Sequence, residues 1–134
     1  MSEDEMDVAD LIEEVQAVKE RVADAGRPEA VERQHEADKL TARERVDYLC
    51  DDGTFDEIGQ LAAPMPTTPE TADWEREDAP ADGVVCGIGE VDARPVAIVA
   101  TDYTVKGGSI GHAGGRKVVD GRSHRFTHLR GDRL

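Results

Sequence analysis

Residues 83–103 read GVVCGIGEVDARPVAIVATDY, and this stretch decides the fold of the chain. Its two runs, 83–91 and 95–103, are rich in Val, Ile and small residues, a composition typical of β-strands. Only Asp92, Ala93 and Arg94 separate the two runs. Because a connection this short joins antiparallel neighbours, the segment predicts a β-hairpin.

A glycine-rich segment follows the second predicted strand. Its small residues are Gly107, Gly108, Ser109 and Gly111. Glycine lets the backbone approach a ligand closely, and exposed N–H groups in such a turn can donate to oxygen atoms. The segment predicts either a ligand-binding turn or a tight strand-to-helix turn without a ligand. Ser109 is the candidate cap of the helix that follows.

Upstream of the hairpin, residues 1–61 form a predicted helical lead-in. Apolar residues at steps of three and four predict an amphipathic helix over 7–25. Its stripe comprises Val8, Leu11, Ile12, Val15, Val18 and Val22. Gly26 and Pro28 end this helix. Such an apolar face needs a partner, which is either the rest of the chain or another subunit.

Two shorter helices and a loop complete the region before the hairpin. A polar helix is expected over roughly 28–38. Another is expected over 42–50, because Thr41 and Glu44 have the spacing of a capping box. Residues 62–82 contain four of the six prolines and predict a loop, with Trp74 anchoring it on the core.

The chain of 134 residues is strongly acidic, with a formal net charge of −14. This charge argues against nucleic-acid binding, because phosphates would be repelled. It is typical of adaptation to a salty cytoplasm, or else of a partly disordered acidic protein. No apolar run is long enough to span a membrane. The acidic N-terminus does not fit a secretory signal, so we expect a cytoplasmic location.

The cysteine and histidine residues predict neither a disulfide nor a metal site. Cys50 and Cys86 lie far apart, form no CxxC motif, and are expected to be free, small apolar residues. His124, His128 and Asp120 have a spacing that metal ligands can share on a helix. The glycine and basic residues around them disfavour a helix, so no metal is expected.

The sign of the charge reverses near the C-terminus. Residues 116–134 carry a net charge of +4, whereas residues 1–115 carry −18. The segment 120–134 is therefore either a basic arm with a separate role or a tail not selected together with the rest.

Several segments between residues 33 and 119 resemble one enzyme family in their order and spacing. They are QH at 34–35, KLTARERVD at 39–47, DGTFDEIG at 52–59, DGVVCGIG at 82–89, RPVA at 94–97 and DYTVKGGSIG at 102–111. Together they resemble the N-terminal part of the biotin-dependent carboxyltransferases. The most similar members are the β subunits of propionyl-CoA carboxylase and the related methylmalonyl-CoA decarboxylases.

The resemblance implies an incomplete α/β fold of the crotonase-like (ClpP/crotonase) type. Residues 83–119 would be the start of its acyl-CoA-binding core. The implied reaction transfers a carboxyl group from carboxybiotin to the α-carbon of a short acyl-CoA such as propionyl-CoA. The implied partners are a biotin carboxylase or biotin carrier subunit and further copies of the full-length subunit. Biotin would be carried by a partner subunit or domain, and no metal is implied.

The resemblance also places coenzyme A near the glycine-rich segment. In that family, backbone N–H groups of glycine-rich turns stabilise the developing enolate oxygen. In this chain, cationic side chains in the helix after the glycine-rich segment would meet the CoA phosphates. The implied CoA-contacting residues are Gly107, Gly108, Ser109, Gly111, Arg116 and Lys117.

After Val119 the chain departs from the family pattern and reads DGRSHRFTHLRGDRL. The family continues instead with a helix, a strand and a Ser-Gly-Gly-Ala-Arg-type turn that supplies an oxyanion hole, so no catalytic residue is assigned. The sequence therefore predicts a truncated or frameshifted carboxyltransferase subunit that is inactive alone. The alternative is a non-catalytic binding or regulatory module that associates with a full-length carboxylase subunit or with CoA.

Overall fold

The computed structural model describes residues 7–64, 77–109 and 111–120. Within these ranges the lead-in contains α1 (Val8–Val22), α2 (Pro28–Glu36) and α3 (Ala42–Leu49). Then come β1 (Asp56–Ile58), β2 (Val84–Val91), β3 (Arg94–Thr101) and a last helix, α4, over residues 112–120. The described residues do not include Trp74, His124 or His128, so the roles considered for these three side chains are not tested by the structure.

The predicted hairpin is present, with β2 and β3 paired antiparallel from Val84 opposite Thr101 to Val91 opposite Arg94. At its tip Asp92 and Ala93 both have positive φ, 51° and 62°. Two left-handed residues are what a two-residue type I′ turn requires. The carboxylate of Asp51 accepts the N–H groups of Asp92 at 3.1 Å and of Ala93 at 2.8 Å. These bonds stabilise a turn that has no glycine.

The sheet has a third strand that the sequence analysis did not predict. β1 pairs antiparallel with β2, with Ile58 opposite Cys86, so the strand order is β1-β2-β3. The prediction of a hairpin alone was therefore incomplete. Three residues are too few to show the alternation of apolar and polar side chains by which strands are recognised.

The lead-in helices agree with the predicted spans to within a few residues at each end. At the start of α3 the Thr41 hydroxyl accepts the N–H of Glu44 at 3.0 Å, as the capping motif predicts. The Glu44 carboxylate also lies 2.7 Å from Nε2 of His35, which joins α3 to α2. No helix in the described ranges is long and apolar enough to cross a membrane.

The hydrophobic core is small and lies between α3 and the sheet. It consists of Ala42, Val46, Cys50, Val85 and Ile98. Among the described residues the largest fully buried side chains are valines. Cys50 and Cys86 are both buried and form no disulfide with one another.

The apolar face of α1 is mostly uncovered. Of its stripe only Val22 is buried, whereas Val8 is 68% and Ile12 is 56% exposed. The described part of the chain therefore does not supply the partner that this face was expected to have.

Candidate functional site

The loop that leaves β3 is folded around the carboxylate of Asp102. Its Oδ1 accepts the backbone N–H of Thr104 at 2.9 Å and the Thr104 hydroxyl at 2.6 Å. The N–H of Asp102 donates to the carbonyl of Gly83 at 2.9 Å. These bonds connect the loop to the residues just before β2 and orient the chain as it enters the glycine-rich segment.

Arg27, at the start of α2, binds this loop from the lead-in side. Its Nη1 lies 2.7 Å from Oδ2 of Asp102, and its Nη2 lies 2.6 Å from the Thr104 hydroxyl. Burial acts to raise the pKa of Asp102, but hydrogen bonds from Thr104 and Arg27, with the charge of Arg27, hold it below its usual range. The helical lead-in thus contributes directly to the position of the loop.

The glycine-rich segment forms a tight turn with three consecutive left-handed residues. The φ angle is 47° at Lys106, 65° at Gly107 and 82° at Gly108. The N–H of Gly108 donates to the carbonyl of Val105 at 3.0 Å. Glycine suits the last two positions because other side chains are strained there. Lys106, Gly107 and Ser109 are exposed, so the turn presents backbone to solvent.

The carboxylate of Asp82, which lies just before β2, caps the first turn of α4. The sequence predicted that Ser109 would cap this helix. The N–H of Gly114 donates to Oδ2 of Asp82 at 2.7 Å. Gly111 is required beside it, because a Cβ atom at that position would collide with the carboxylate oxygens. Since a carboxylate already binds this helix terminus, an incoming phosphate would have to compete with it for the same N–H groups.

Lys117 is directed into the protein. It is 7% exposed, and its Nζ donates to the carbonyls of Ala81 at 2.6 Å and of Val84 at 2.9 Å. Burial lowers the pKa of this amine. Lys117 thus packs α4 against the start of β2. Its neighbour Arg116 is exposed on α4.

Sequence reasoning missed three charged residues that surround the glycine turn: Arg27, Asp82 and Asp102. The two aspartates lie in segments that carry the family resemblance. This resemblance was the one signal in the sequence that could have pointed to them. Nothing in the pattern of α2 marks Arg27. The contact partners are separated by 75 residues for Arg27 with Asp102 and by 32 for Asp82 with Gly114, so no local pattern reveals them.

Comparison with protein families identifies the domain. The model of the carboxyl transferase domain matches residues 33–130, which include the hairpin, the glycine turn and α4. The chain belongs to the carboxyl transferase domain family. The match continues past α4 into residues 121–130, within the segment that the sequence pattern assigned to a divergent tail.

Curated relatives of this carboxyl transferase chain are much longer than it is. The carboxyltransferase subunit of propionyl-CoA carboxylase from Haloferax mediterranei is 39% identical over 113 residues, covering 84% of this chain and 21% of the relative. The 12S subunit of methylmalonyl-CoA carboxyltransferase from Propionibacterium freudenreichii is 41% identical over 105 residues, covering 78% and 20%. The chain therefore spans about a fifth of the length of these relatives.

Solved carboxyltransferase structures share the fold. A single-chain, multi-domain long-chain acyl-CoA carboxylase superposes with a TM-score of 0.76 at 33% identity, covering 87% of this chain and 13% of that one. The transcarboxylase 12S hexamer with hydrolysed methylmalonyl-CoA bound gives a TM-score of 0.67 at 37% identity, covering 90% and 22%. These comparisons confirm the predicted resemblance and the mixed helix-and-sheet architecture of a partial carboxyltransferase domain.

Proposed function

We propose that this chain is the N-terminal, acyl-CoA-binding part of a carboxyltransferase from a biotin-dependent acyl-CoA carboxylase. The observation that carries the proposal is the preformed glycine turn. It lies between the Arg27–Asp102 ion pair and the contact of Asp82 with Gly114. A backbone that is ordered before its ligand arrives loses less conformational entropy on binding, which favours a binding role for the turn.

The residues of this chain would bind and orient the thioester. Backbone N–H groups of Gly107 and Gly111 are the proposed donors to oxygen atoms of the bound acyl-CoA. Those of Gly108 and Ser109 already donate to the carbonyls of Val105 and Lys106. The exposed side chain of Arg116 is proposed to face the CoA phosphates. The ammonium group of Lys117 is not proposed for this role, because it already donates to backbone carbonyls. Biotin on a partner protein would supply the carboxyl group, and no residue of this chain is assigned to biotin.

The remaining steps belong to the whole subunit. Its proposed partners are a biotin carrier, a biotin carboxylase and further copies of itself, in the cytoplasm. We expect no carboxyl transfer by the 134 residues alone, because they correspond to about a fifth of the length of the relatives.

The test is the melting temperature of the chain with and without propionyl-CoA in molar KCl. A ligand that binds only the folded state, at about 100 times its Kd, adds about 2.7 kcal/mol to the free energy of unfolding. We expect this rise in the wild type and its loss in Gly107→Leu.

Gly53→Leu is the matched control. Gly53 has a φ of 70° and, like Gly107, has open space where a Cβ would be. Its variant should carry the same backbone strain and still respond to propionyl-CoA. No rise in the wild type, or an equal loss in both variants, would contradict the proposal.

A second candidate is a non-catalytic module that associates with a full-length carboxyltransferase subunit. The exposed apolar face of α1 favours it, because contiguous apolar surface of this kind marks interaction sites. Co-purification with a full-length subunit distinguishes this role.

A further inference from the structure

The three residues just before β2 form a second left-handed turn. The φ angle is 54° at Ala81, 49° at Asp82 and 72° at Gly83. Two of the three carry a Cβ atom, so they hold a conformation that residues other than glycine rarely adopt. Such backbone persists only where the surrounding structure enforces it, and it is concentrated at binding and catalytic sites. The contacts that enforce this turn therefore indicate its role.

The turn of residues 81–83 is packed against the glycine-rich segment. A Cβ atom on Gly83 would lie 3.3 Å from the carbonyl oxygen of Ser109 and 3.3 Å from Cγ1 of Val105. The carboxylate of Asp82 lies against Gly111, where a Cβ atom would collide with it. Because packed segments transmit strain, a shift of this turn would displace the glycine-rich segment.

Helix α4 fixes the turn of residues 81–83 through two reciprocal contacts. The carboxylate of Asp82 accepts the N–H of Gly114 in the first turn of α4 at 2.7 Å. In return, Nζ of Lys117 donates to the carbonyls of Ala81 at 2.6 Å and of Val84 at 2.9 Å. The two charged residues are only 4% and 7% exposed. Water therefore does not readily replace a bond that is lost here.

We propose that Asp82 and Lys117 are positioning residues that hold the glycine turn in the conformation that binds acyl-CoA. Both side chains are too deeply buried to touch the ligand, and they act through the backbone of residues 81–84 and the start of α4. Without either contact the glycine turn would occupy its binding conformation for only part of the time, and the apparent affinity would fall by that fraction. The inference rests on the proposed function, in which Gly107 and Gly111 donate to the bound ligand.

The experiment is calorimetric titration of the 134-residue chain with propionyl-CoA in molar KCl. Asp82→Gly suits the left-handed backbone but removes the carboxylate, and Lys117→Met removes the ammonium group while filling most of its space. Each variant should bind about tenfold more weakly or worse, as expected when a hydrogen bond to a charged group is lost from the binding conformation. Asp82→Asn keeps an oxygen acceptor and tolerates positive φ, so it should keep most of the affinity.

Asp51→Ala is the matched control. The carboxylate of Asp51 also accepts two backbone N–H groups, those of Asp92 and Ala93, but at the opposite end of the hairpin. This variant should lower the melting temperature of the ligand-free chain and leave the affinity for propionyl-CoA unchanged. Circular dichroism at the temperature of the titration checks that each variant is folded. The inference is overturned if Asp51→Ala and Asp82→Gly bind alike, or if Asp82→Asn loses as much affinity as Asp82→Gly.

Amide hydrogen exchange of the ligand-free chain separates this inference from the proposed function. The N–H of Gly108 donates to the carbonyl of Val105 within the glycine turn. It should exchange faster in Asp82→Gly than in Asp51→Ala, because only the first variant loosens the turn locally. Equal rates at Gly108 would overturn the inference whether or not the wild type binds. Faster exchange in a chain whose wild type does not bind propionyl-CoA would count against the proposed function, while supporting the role of Asp82 in positioning the turn.

Discussion

At the residue scale, the described chain depends on buried charges whose partners are distant in sequence. Lys117 illustrates how this limits prediction. As a lysine in a predicted helix next to a glycine turn it was expected to face phosphates. It instead donates to carbonyls of residues 81 and 84. These carbonyls lie more than thirty residues before Lys117, and only folding brings the two segments together. The sequence pattern therefore could not show which groups the Lys117 side chain contacts.

Replacing Asp102 by Asn should lower the free energy of unfolding by about 1–3 kcal/mol at neutral pH, because the partly buried guanidinium of Arg27 loses its charge partner. The pKa of Asp102 is lower in the folded chain than when unfolded. Its stabilisation is therefore complete above the ordinary carboxyl range and disappears as the pH falls through the folded pKa. The difference between variant and wild type should shrink below about pH 4.

Urea unfolding of both proteins at neutral and acidic pH measures this difference. Asp52→Asn serves as the control, because Asp52 is exposed in the turn after α3. If the two variants lose equal stability at neutral pH, the Arg27 contact does not stabilise the fold.

At the element scale, the sequence predicted those elements whose pattern is local. The periodic apolar stripe of α1, the capping motif of α3 and the short connection between β2 and β3 each lie within a few residues. β1 was missed because its three residues become a strand only by pairing with β2, about thirty residues later. The turn of residues 106–108 was predicted from its glycines, but the contacts that position it were not.

Changing Leu11 and Val15 of α1 to Glu should abolish co-purification with a tagged full-length carboxyltransferase subunit. The two side chains are 47% and 39% exposed, so the stability of the chain itself should change by only about 0.5 kcal/mol. Association should weaken at least tenfold, because charged side chains would be buried without partners. Ala17→Glu, on the opposite side of α1, is the control and should still co-purify. Equal recovery of both variants would exclude α1 as the docking face.

At the scale of the whole molecule, a small core stabilises a chain of high negative charge. Aromatic residues make up 4% of the chain, too few for a large core, and the described residues bury mainly valine, alanine and cysteine. The net charge of −14 opposes compaction unless salt screens it. At molar salt the screening length falls to about 3 Å.

The melting temperature should therefore rise by roughly 5 °C or more between about 0.1 M and molar KCl, which corresponds to about 1 kcal/mol for a domain of this size. Differential scanning calorimetry measures the rise. Sorbitol at equal osmolality is the control, because it changes the solvent without screening charge. A melting temperature that responds equally to both, or not at all to KCl, would contradict adaptation to salt.

Residues 7–64 are connected by direct contacts to the later described residues, 77–109 and 111–120. Arg27 reaches Asp102, Asp51 binds the tip of the hairpin, and β1 pairs with β2. A fragment that begins at residue 77 would therefore lack the partners of Asp102, of the hairpin tip and of β2, and should not hold the glycine turn in place.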